Sequence, residues 1–338
     1  MNRSRNLYVF MLDNFIWVLL LILVVVAALF VPKFFSVRNF LNILYHSTAF
    51  SMMVLGMTFC LLVGQFDLSI ESVYAFGPAI GALFMLEWFH VSPVIAIFIT
   101  IFVGAGIGLI NGIMAVKVGV NAFLQTLCTL IILRGVVLYL IPQGLYEIPS
   151  AYLFMGEYVI PGTRIPIAIF IFLSLFVVAH FVITRTPFGK NLIASGSNQR
   201  AAFMAGIDTD TLRIWAFIIS GALAALGGLL LVGRMGSVTN SMGDGAILEV
   251  FAAAVLGGVS LDGGKGSITG ALGGLLFLST ISNVLSLWGL NPFLVAAIQG
   301  FILLMAVIIE NCREKLYGLL MRQEMGGVKH ENQQRASA

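Results

Sequence analysis

Long runs of hydrophobic residues, most of them as long as a membrane-spanning helix, dominate the pattern of this chain. A helix needs about 20 mostly apolar residues to cross a hydrocarbon core about 30 Å thick. Short polar or glycine-rich segments separate the runs, which predicts an all-α, polytopic membrane bundle of about ten transmembrane helices. The ten runs are Phe15–Val31, Ile43–Gly64, Ile70–Phe89, Pro93–Val116, Phe123–Ile141, Ile165–Ile183, Leu212–Val232, Leu248–Ser260, Ile268–Leu287 and Phe293–Ile309.

The distribution of positive charge predicts the direction of these crossings. The short, glycine-flanked eighth run is counted as a crossing that is tilted, broken or re-entrant. With a cytoplasmic N-terminus, thirteen of the 18 Lys and Arg residues fall in inside segments, and Arg134 lies within a span. This asymmetry follows the positive-inside rule and predicts that both termini are cytoplasmic. The four outside residues are Lys33, Arg38, Arg164 and Arg234.

The start of the chain and its composition support the same picture. Arg3 and Arg5 precede the first run, but the run continues to Pro32 without a small-residue cleavage site, so we expect a retained helix rather than a signal peptide. The chain is 59% hydrophobic and 10% charged, whereas a soluble domain carries roughly 25% charged residues. This excludes a soluble enzyme or a nucleic-acid-binding domain and makes the lipid bilayer the surroundings. We expect a single transmembrane domain over residues 1–338, with its core at 40–310 and a cytoplasmic tail at 311–338.

One internal similarity suggests a repeat. The seven residues Val118–Leu124 resemble Trp288–Leu294, and each string opens a helix. By the predicted topology the first helix enters from the cytoplasm and the second from outside. The fold is therefore expected to contain an inverted repeat, an arrangement that places a transporter's substrate path at the repeat interface.

Residues capable of catalysis do not form a recognisable set. The four histidines are scattered without metal-ligand spacing, and no nucleophile elbow or zinc-protease helix is present. Gly263–Ser267 partly matches a phosphate-binding loop, but Gly266 separates Lys265 from Ser267, and the segment is better interpreted as a flexible turn. We predict no enzymatic activity, no metal and no cofactor bound by this chain.

The largest predicted cytoplasmic loop, residues 185–213, contains the most specific signal. Asn198 is suited to cap a short helix that Gly206 ends. Such a short helix usually needs a partner to be stable. The alternative is an ordinary amphipathic helix on the membrane surface. The predicted docking surface consists of Ala201, Ala202, Met204 and Ala205, with Phe203 as a projecting side chain.

Several strings together resemble the permease subunits of bacterial ATP-binding-cassette sugar importers, of the ribose, xylose and arabinose type. Relatives of this type include permeases for branched-chain amino acids. This chain departs from the pattern of these permeases at three places. Arg200 replaces the Glu of the usual coupling segment, Gln65-Phe66 replaces a common Gly-Ile pair, and Glu71 replaces a frequent Gly. The matching strings are Leu55–Thr58, Asp67–Ser69, Asn111–Gly112, Thr129–Gly135, Ala201-Ala202-x-x-x-Gly206, Ala254–Ser260 and Gly264-x-Gly266-Ser267.

The resemblance implies a multi-pass protein of the cell inner membrane that works in a complex. Its expected partners are cytoplasmic nucleotide-binding ATPase subunits, which hold the ATP and Mg²⁺, an extracytoplasmic solute-binding protein, and a second permease, either identical or related. It also implies that the helix in the 185–213 loop docks on the ATPase. The ATPase-coupling residues are expected to be Asn198, Arg200, Ala201, Ala202, Phe203 and Gly206.

Polar residues within or beside the spans are candidates for the translocation pathway or its gate, because each is costly in lipid unless it faces protein or water. Asp67 and Ser69 either line an exit gate or occur for structural reasons, namely exposure of the loop to solvent and capping of the next helix by Asp67. Arg134 contacts sugar, snorkels outward or, as we favour, pairs with a carboxylate such as Glu147 or Glu157. Asn283 and Asn291 either line the pathway or form hydrogen bonds between neighbouring helices. The full candidate set is Asp67, Ser69, Asn121, Gln125, Thr129, Arg134, Asn283, Asn291 and Gln299.

The sequence thus predicts a permease for a monosaccharide or related polyol, powered by a separate ATPase. One alternative is a permease for another small solute, such as a branched-chain amino acid. The other is an ion-coupled secondary transporter, which would normally show an ionisable relay at the membrane centre. Asp67, Glu71 and Glu249 lie near predicted span ends, which disfavours the ion-coupled transporter.

Overall fold

The computed structural model describes residues 14–291, 293–302, 304–305 and 308. The predicted tail 311–338, the end of the tenth run, and Arg3 and Arg5 lie outside the described residues. Short π-helical turns extend the third helix to Trp88 and the fourth to Val118. The helices are α1 (Phe15–Phe30), α2 (Val37–Leu62), α3 (Ile70–Leu83), α4 (Pro93–Ile113), α5 (Ala122–Leu140), α6 (Ser150–Glu157), α7 (Ile167–Arg185), α8 (Pro187–Ser197), α9 (Gln199–Met204), α10 (Thr209–Met235), α11 (Ala246–Leu256), α12 (Ile268–Leu287) and α13 (Phe293–Ile302).

The described helices confirm a polytopic helical membrane bundle. Seven of them are long and apolar enough to cross a membrane, and each corresponds to a predicted run. The remaining runs correspond to the shorter apolar helices α1, α11 and α13. Helix α11 has only 11 residues, or about 16 Å of length, so as a helix it spans about half of the hydrocarbon core. The eighth predicted span is therefore a half-helix, preceded by the irregular segment 236–245.

Side-chain caps explain where several helices begin. Ser36 accepts a hydrogen bond from the Asn39 amide at 3.3 Å, and Ser267 accepts one from the Gly270 amide at 2.9 Å. Ser92 does the same in front of α4, where Pro93 occupies the first turn. A capping oxygen satisfies one of the backbone amides that a helix leaves unpaired at its start. Proline in that first turn costs no hydrogen bond, because an amide at this position has no partner within the helix.

Helix α10 forms the centre of the bundle and packs against α2, α3, α4 and α6. Its crossing with α4 depends on glycine. A Cβ added at Gly104 would collide with the carbonyl oxygen of Gly221, and one added at Gly108 would collide with that of Phe217. Small residues allow two helix backbones to approach closely in a membrane, where packing replaces the hydrophobic effect as the attraction between helices.

The outer helices present their apolar side chains outward. Only 11% of the most apolar stretch of α5 is buried, against 78% for α2. Ile131, Ile132 and Tyr139 of α5 are all exposed. Apolar exposure on this scale fits the lipid bilayer that the composition predicts.

The α4–α10 crossing predicts a position-specific stability defect. Replacing Gly104 with Leu forces the two backbones apart, and overpacking of this kind costs about 1–3 kcal/mol or more. Gly104→Leu should therefore lower the thermal unfolding midpoint of the detergent-purified protein. Gly106→Leu is the matched control, because nothing lies within 4 Å of a Cβ at Gly106. Equal stability of the two variants would contradict the close crossing.

Candidate functional site

The predicted coupling loop folds into a pair of short helices, α8 and α9. Thr186 caps α8 by accepting from the Gly189 amide at 3.3 Å, and Asn198 caps α9 by accepting from the Ala201 amide at 2.9 Å. Gly206 follows α9 with a φ of +83°, a left-handed conformation that glycine adopts without strain. The predicted cap and the predicted helix end are confirmed.

The exposed face of α9 differs from the predicted docking surface. Ala202 is buried within this chain, so its assignment to a free docking surface is wrong. The reason is that α9, which has only six residues, uses this alanine to pack against its own chain. Arg200 and Ala201 are exposed, and the largest apolar exposure is at Phe203 (65%) and Met204 (78%). The outward tip of α9 therefore consists of Phe203 and Met204.

The helix pair is joined directly to the end of α2 and to the turn before α12. A Cβ added at Gly196 of α8 would collide with the carbonyl oxygen of Leu62. That same oxygen accepts a hydrogen bond from the Gly264 amide at 2.9 Å. Ser197 donates its hydroxyl to the Gly264 carbonyl at 3.2 Å. The contacts of the Leu62 carbonyl with Gly196 and Gly264 are close and involve the backbone of both partners. A displacement of α8 is therefore expected to displace the end of α2 as well.

A buried polar network joins four of the predicted pathway residues. Thr129 Oγ1 donates to Asn111 Oδ1 at 2.7 Å, and Gln125 Nε2 donates to the same oxygen at 3.3 Å. Asn111 Nδ2 donates to Ser69 Oγ at 2.9 Å, and Ser69 Oγ donates to Asp67 Oδ1 at 2.5 Å. The network therefore connects α4 and α5 to the segment that leads into α3.

Asp67 is anchored from α10 as well. Ser220 Oγ donates to Asp67 Oδ2 at 2.7 Å, and both residues are fully buried. The interpretation of Asp67 as a solvated loop residue is therefore wrong, because protein donors take the place of water. Asn111 and Ser220 were not predicted as members of this site. Asn111 lies in one of the family-like strings, but Ser220 carries no signal beyond its polarity within a span.

The polar network predicts a stability cost on losing its centre. Asn111→Ala removes the three hydrogen bonds that Asn111 makes with Ser69, Gln125 and Thr129, and each such bond contributes about 0.5–1.5 kcal/mol. The variant should lower the thermal midpoint measurably, whereas Asn191→Ala, on the partly exposed helix α8, should not. If both variants unfold at the wild-type temperature, the network does not stabilise the fold.

Arg134 pairs with a carboxylate, but not with either predicted partner. Its guanidinium forms an ion pair with Asp244, and its Nη1 donates to the Met242 carbonyl at 3.4 Å. The expected pairing with Glu147 or Glu157 is wrong. Asp244 belongs to the irregular segment before α11, and no local pattern indicates that this segment reaches α5. The preference for pairing over sugar contact or snorkelling is supported by this geometry.

The carboxylate of Glu71 binds the junction between this segment and α11. It accepts hydrogen bonds from the Gly245 amide at 3.2 Å and from the Ile247 amide at 3.0 Å. These are amides at the start of α11, where a negative charge is favourable. Together, Arg134 and Glu71 fix the half-helix and its non-helical approach, which needs such protection at membrane depth.

The Arg134–Asp244 pair predicts charge-swap behaviour. Arg134→Asp places two carboxylates together and should lower both the membrane protein level and the thermal unfolding midpoint. The double variant Arg134→Asp with Asp244→Arg restores opposite charges and should recover most of that loss, measured by quantitative blotting and by thermal unfolding of the detergent-purified protein. Equal defects in the single and double variants would show that the pairing itself is unimportant.

A cavity of ≈ 300 Å³ lies between α2, α11, α12, α13 and the end of α10. Asn283 and Gln299, both predicted pathway residues, line it. Asn283 also exchanges two 3.0 Å amide hydrogen bonds with Asn39 of α2, so pathway and helix-joining interpretations both apply to it. The polar lining residues that were not predicted are His46, Arg234, Glu249, Ser279, Ser282 and Ser286.

These polar residues were missed because they are distributed over several elements. The three serines are spaced so that they share one face of α12. In the sequence, this spacing looks the same as that of small residues that only pack against a neighbouring helix. The apolar part of the lining includes Val54, Ala253 and Leu275. The cavity wall is thus partly polar and partly apolar.

The remaining predicted pathway residues cap helices. Asn121 accepts from the Leu124 amide at 3.3 Å and opens α5, and Asn291 accepts from the Phe293 amide at 2.9 Å and opens α13. Each follows a left-handed glycine, Gly119 with φ +84° and Gly289 with φ +72°. The two similar strings therefore share a left-handed glycine two residues before an asparagine whose side chain accepts a backbone amide. Neither asparagine lines the cavity, and the inverted repeat itself stays a prediction.

Comparison with known proteins extends these observations. Residues 39–307 match the family described as branched-chain amino acid transport system / permease component, and this range nearly coincides with the predicted core 40–310. No solved structure matches the chain.

Three similar proteins illustrate the likeness. The ribose import permease protein RbsC of Haemophilus influenzae is 32% identical over 320 residues, which cover 92% of this chain and 97% of that protein. RbsC of Bacillus subtilis is 33% identical, covering 86% and 90%. The L-arabinose transport system permease protein AraH of Escherichia coli is 33% identical, covering 87% and 89%.

Proposed function

This chain belongs to the family of branched-chain amino acid transport system permease components, and we propose that it moves a monosaccharide such as a pentose across the inner membrane. It is a multi-pass membrane protein and a sugar permease of the ATP-binding-cassette type. The observation that carries the choice of sugar is the full-length similarity to ribose and arabinose permeases. The other functions considered, an amino acid permease and an ion-coupled transporter, are not favoured by these relatives.

The energy for transport comes from partner subunits. ATP and Mg²⁺ bind to separate cytoplasmic ATPase subunits, and this chain has no enzymatic activity and no cofactor of its own. An extracytoplasmic solute-binding protein delivers the sugar, and a second permease, identical or related, completes the membrane part. What supports this assignment is the similarity to subunits of transport systems and the helix pair α8–α9, which presents an apolar tip.

The ATPase acts on this chain through the tip of α9. Phe203 and Met204 insert into a groove of the ATPase, and Asn198, Arg200, Ala201 and Gly206 shape the turn that presents them. Ala202 supports α9 from within the chain. Closure of the ATPase dimer moves α8 and α9 as one body, and the close contact of Gly196 with Leu62 passes this motion to α2.

The polar network around Asp67 and Asn111 is a candidate gate element. It lies where α3, α4, α5 and α10 meet, at the predicted cytoplasmic end of α3. Rearrangement of these hydrogen bonds accompanies opening toward the cytoplasm, because the bonds of Asn111 and Ser220 join separate elements. Asn283 and Gln299 contribute to the pathway through the cavity.

The docking assignment predicts loss of coupling from two exposed positions. The double variant Phe203→Asp with Met204→Asp places two charges in an apolar contact, so ATPase co-purification and ATP-driven sugar uptake should both fall at least roughly 10-fold. The permease should keep its wild-type thermal midpoint, because both side chains are exposed. Tyr146→Asp, which alters an exposed aromatic residue in the loop before α6, is the matched control. Normal co-purification and uptake in the double variant would reject the docking surface.

A further inference from the structure

An unpartnered carboxylate lies inside the cavity. Glu249 is on the half-helix α11 and lines the cavity wall. Within the described part of the chain its carboxylate has neither a hydrogen bond nor an ion pair. An ionisable side chain inside a membrane bundle is costly unless it meets a partner or water, and it therefore marks a functional position.

The part of the cavity wall formed by α12 and α13 carries hydroxyl and amide groups. Ser279, Ser282 and Ser286 recur at intervals of three and four residues, so they share one face of α12. Gln299 of α13 faces the same space. No hydrogen bond joins these four side chains to another described residue. Hydroxyls and amides both donate and accept, so this wall matches a ligand that does the same.

Arg234, the cation among the described residues of the cavity wall, already has partners within the protein. Its Nη2 lies 2.7 Å from His46 Nδ1 and 2.8 Å from His46 Nε2. The same guanidinium lies over the Tyr45 ring, 5.4 Å from its centroid. Arg234 is therefore less available to a carboxylate of an amino acid, whereas Glu249 and the serines are free to bind hydroxyls.

We propose that this cavity is a binding station for a neutral polyhydroxylated solute on its way through the permease. Glu249 accepts hydrogen bonds from one or two sugar hydroxyls, which are charge-assisted and therefore strong. Ser279, Ser282 and Gln299 bind the opposite edge of the ring. The volume of ≈ 300 Å³ is at the lower end of the range for small-molecule sites, which suits a single sugar ring. The proposal rests on the sugar-permease function argued above.

The test uses the complete transporter, reconstituted with its ATPase subunits and its solute-binding protein in proteoliposomes. The measured quantity is the amount of radiolabelled D-ribose or L-arabinose imported per ATP hydrolysed. Glu249→Gln removes the charge with little change in shape, and the ratio should fall roughly 10-fold while the ATPase stimulated by the loaded binding protein persists. Glu157→Gln, a matched change on α6 outside the cavity, should leave the ratio unchanged.

A second variant keeps the test decisive if Glu249→Gln is unstable. Ser282→Leu fills the cavity from α12 and should lower the same ratio without lowering stimulated ATPase. An unchanged ratio in both variants overturns the proposal while leaving the permease function intact. Wild-type import of L-leucine in place of either sugar, lost in the same variants, overturns the assignment to a polyhydroxylated solute. If the wild-type complex shows no ATP-driven sugar import, the proposed function itself is rejected.

Discussion

A backbone polar group inside a lipid bilayer needs a partner within the protein, and this requirement shapes the whole bundle. Regular helices meet it by themselves. The segment 236–245 does not, because it enters the bundle without regular structure before α11 begins. Glu71 satisfies two amides at the start of α11, and Arg134 binds Asp244 and the Met242 carbonyl. The half-helix that these side chains hold in place contributes Glu249, Val250 and Ala253 to the wall of the polar cavity.

One helix connects the two ends of the proposed transport mechanism. Helix α2 ends at Leu62, whose carbonyl contacts the α8 backbone at Gly196 and accepts from Gly264. The same helix lines the cavity through Ile43, His46 and Val54. Since α2 is among the most buried helices, the proposed mechanism requires it to move as one rigid element between these sites. A force applied at α9 therefore has a short, continuous path to the cavity, and the Asp67 network lies beside this path.

More of the fold than of the site could be predicted from the sequence. The membrane spans were predictable because a run of about 20 apolar residues rarely forms anything but a membrane-spanning helix, and Asn198 and Gly206 were predictable because capping is local. The orientation of Ala202 was not, because a six-residue helix is too short to show a periodicity from which its buried face follows. The partner of Arg134 and the wall around Glu249 depend on distant elements meeting in space. No local sequence pattern indicates these long-range contacts, so only the folded structure shows them.

Sugar transport by this permease should depend entirely on separate subunits that drive it. The decisive measurement is D-ribose accumulation in proteoliposomes that contain either the purified chain alone or the chain with its ATPase subunits and loaded binding protein, each under ATP and under a proton gradient. We expect accumulation only in the complete complex with ATP. Accumulation by the chain alone on a proton gradient would contradict a mechanism driven by separate subunits.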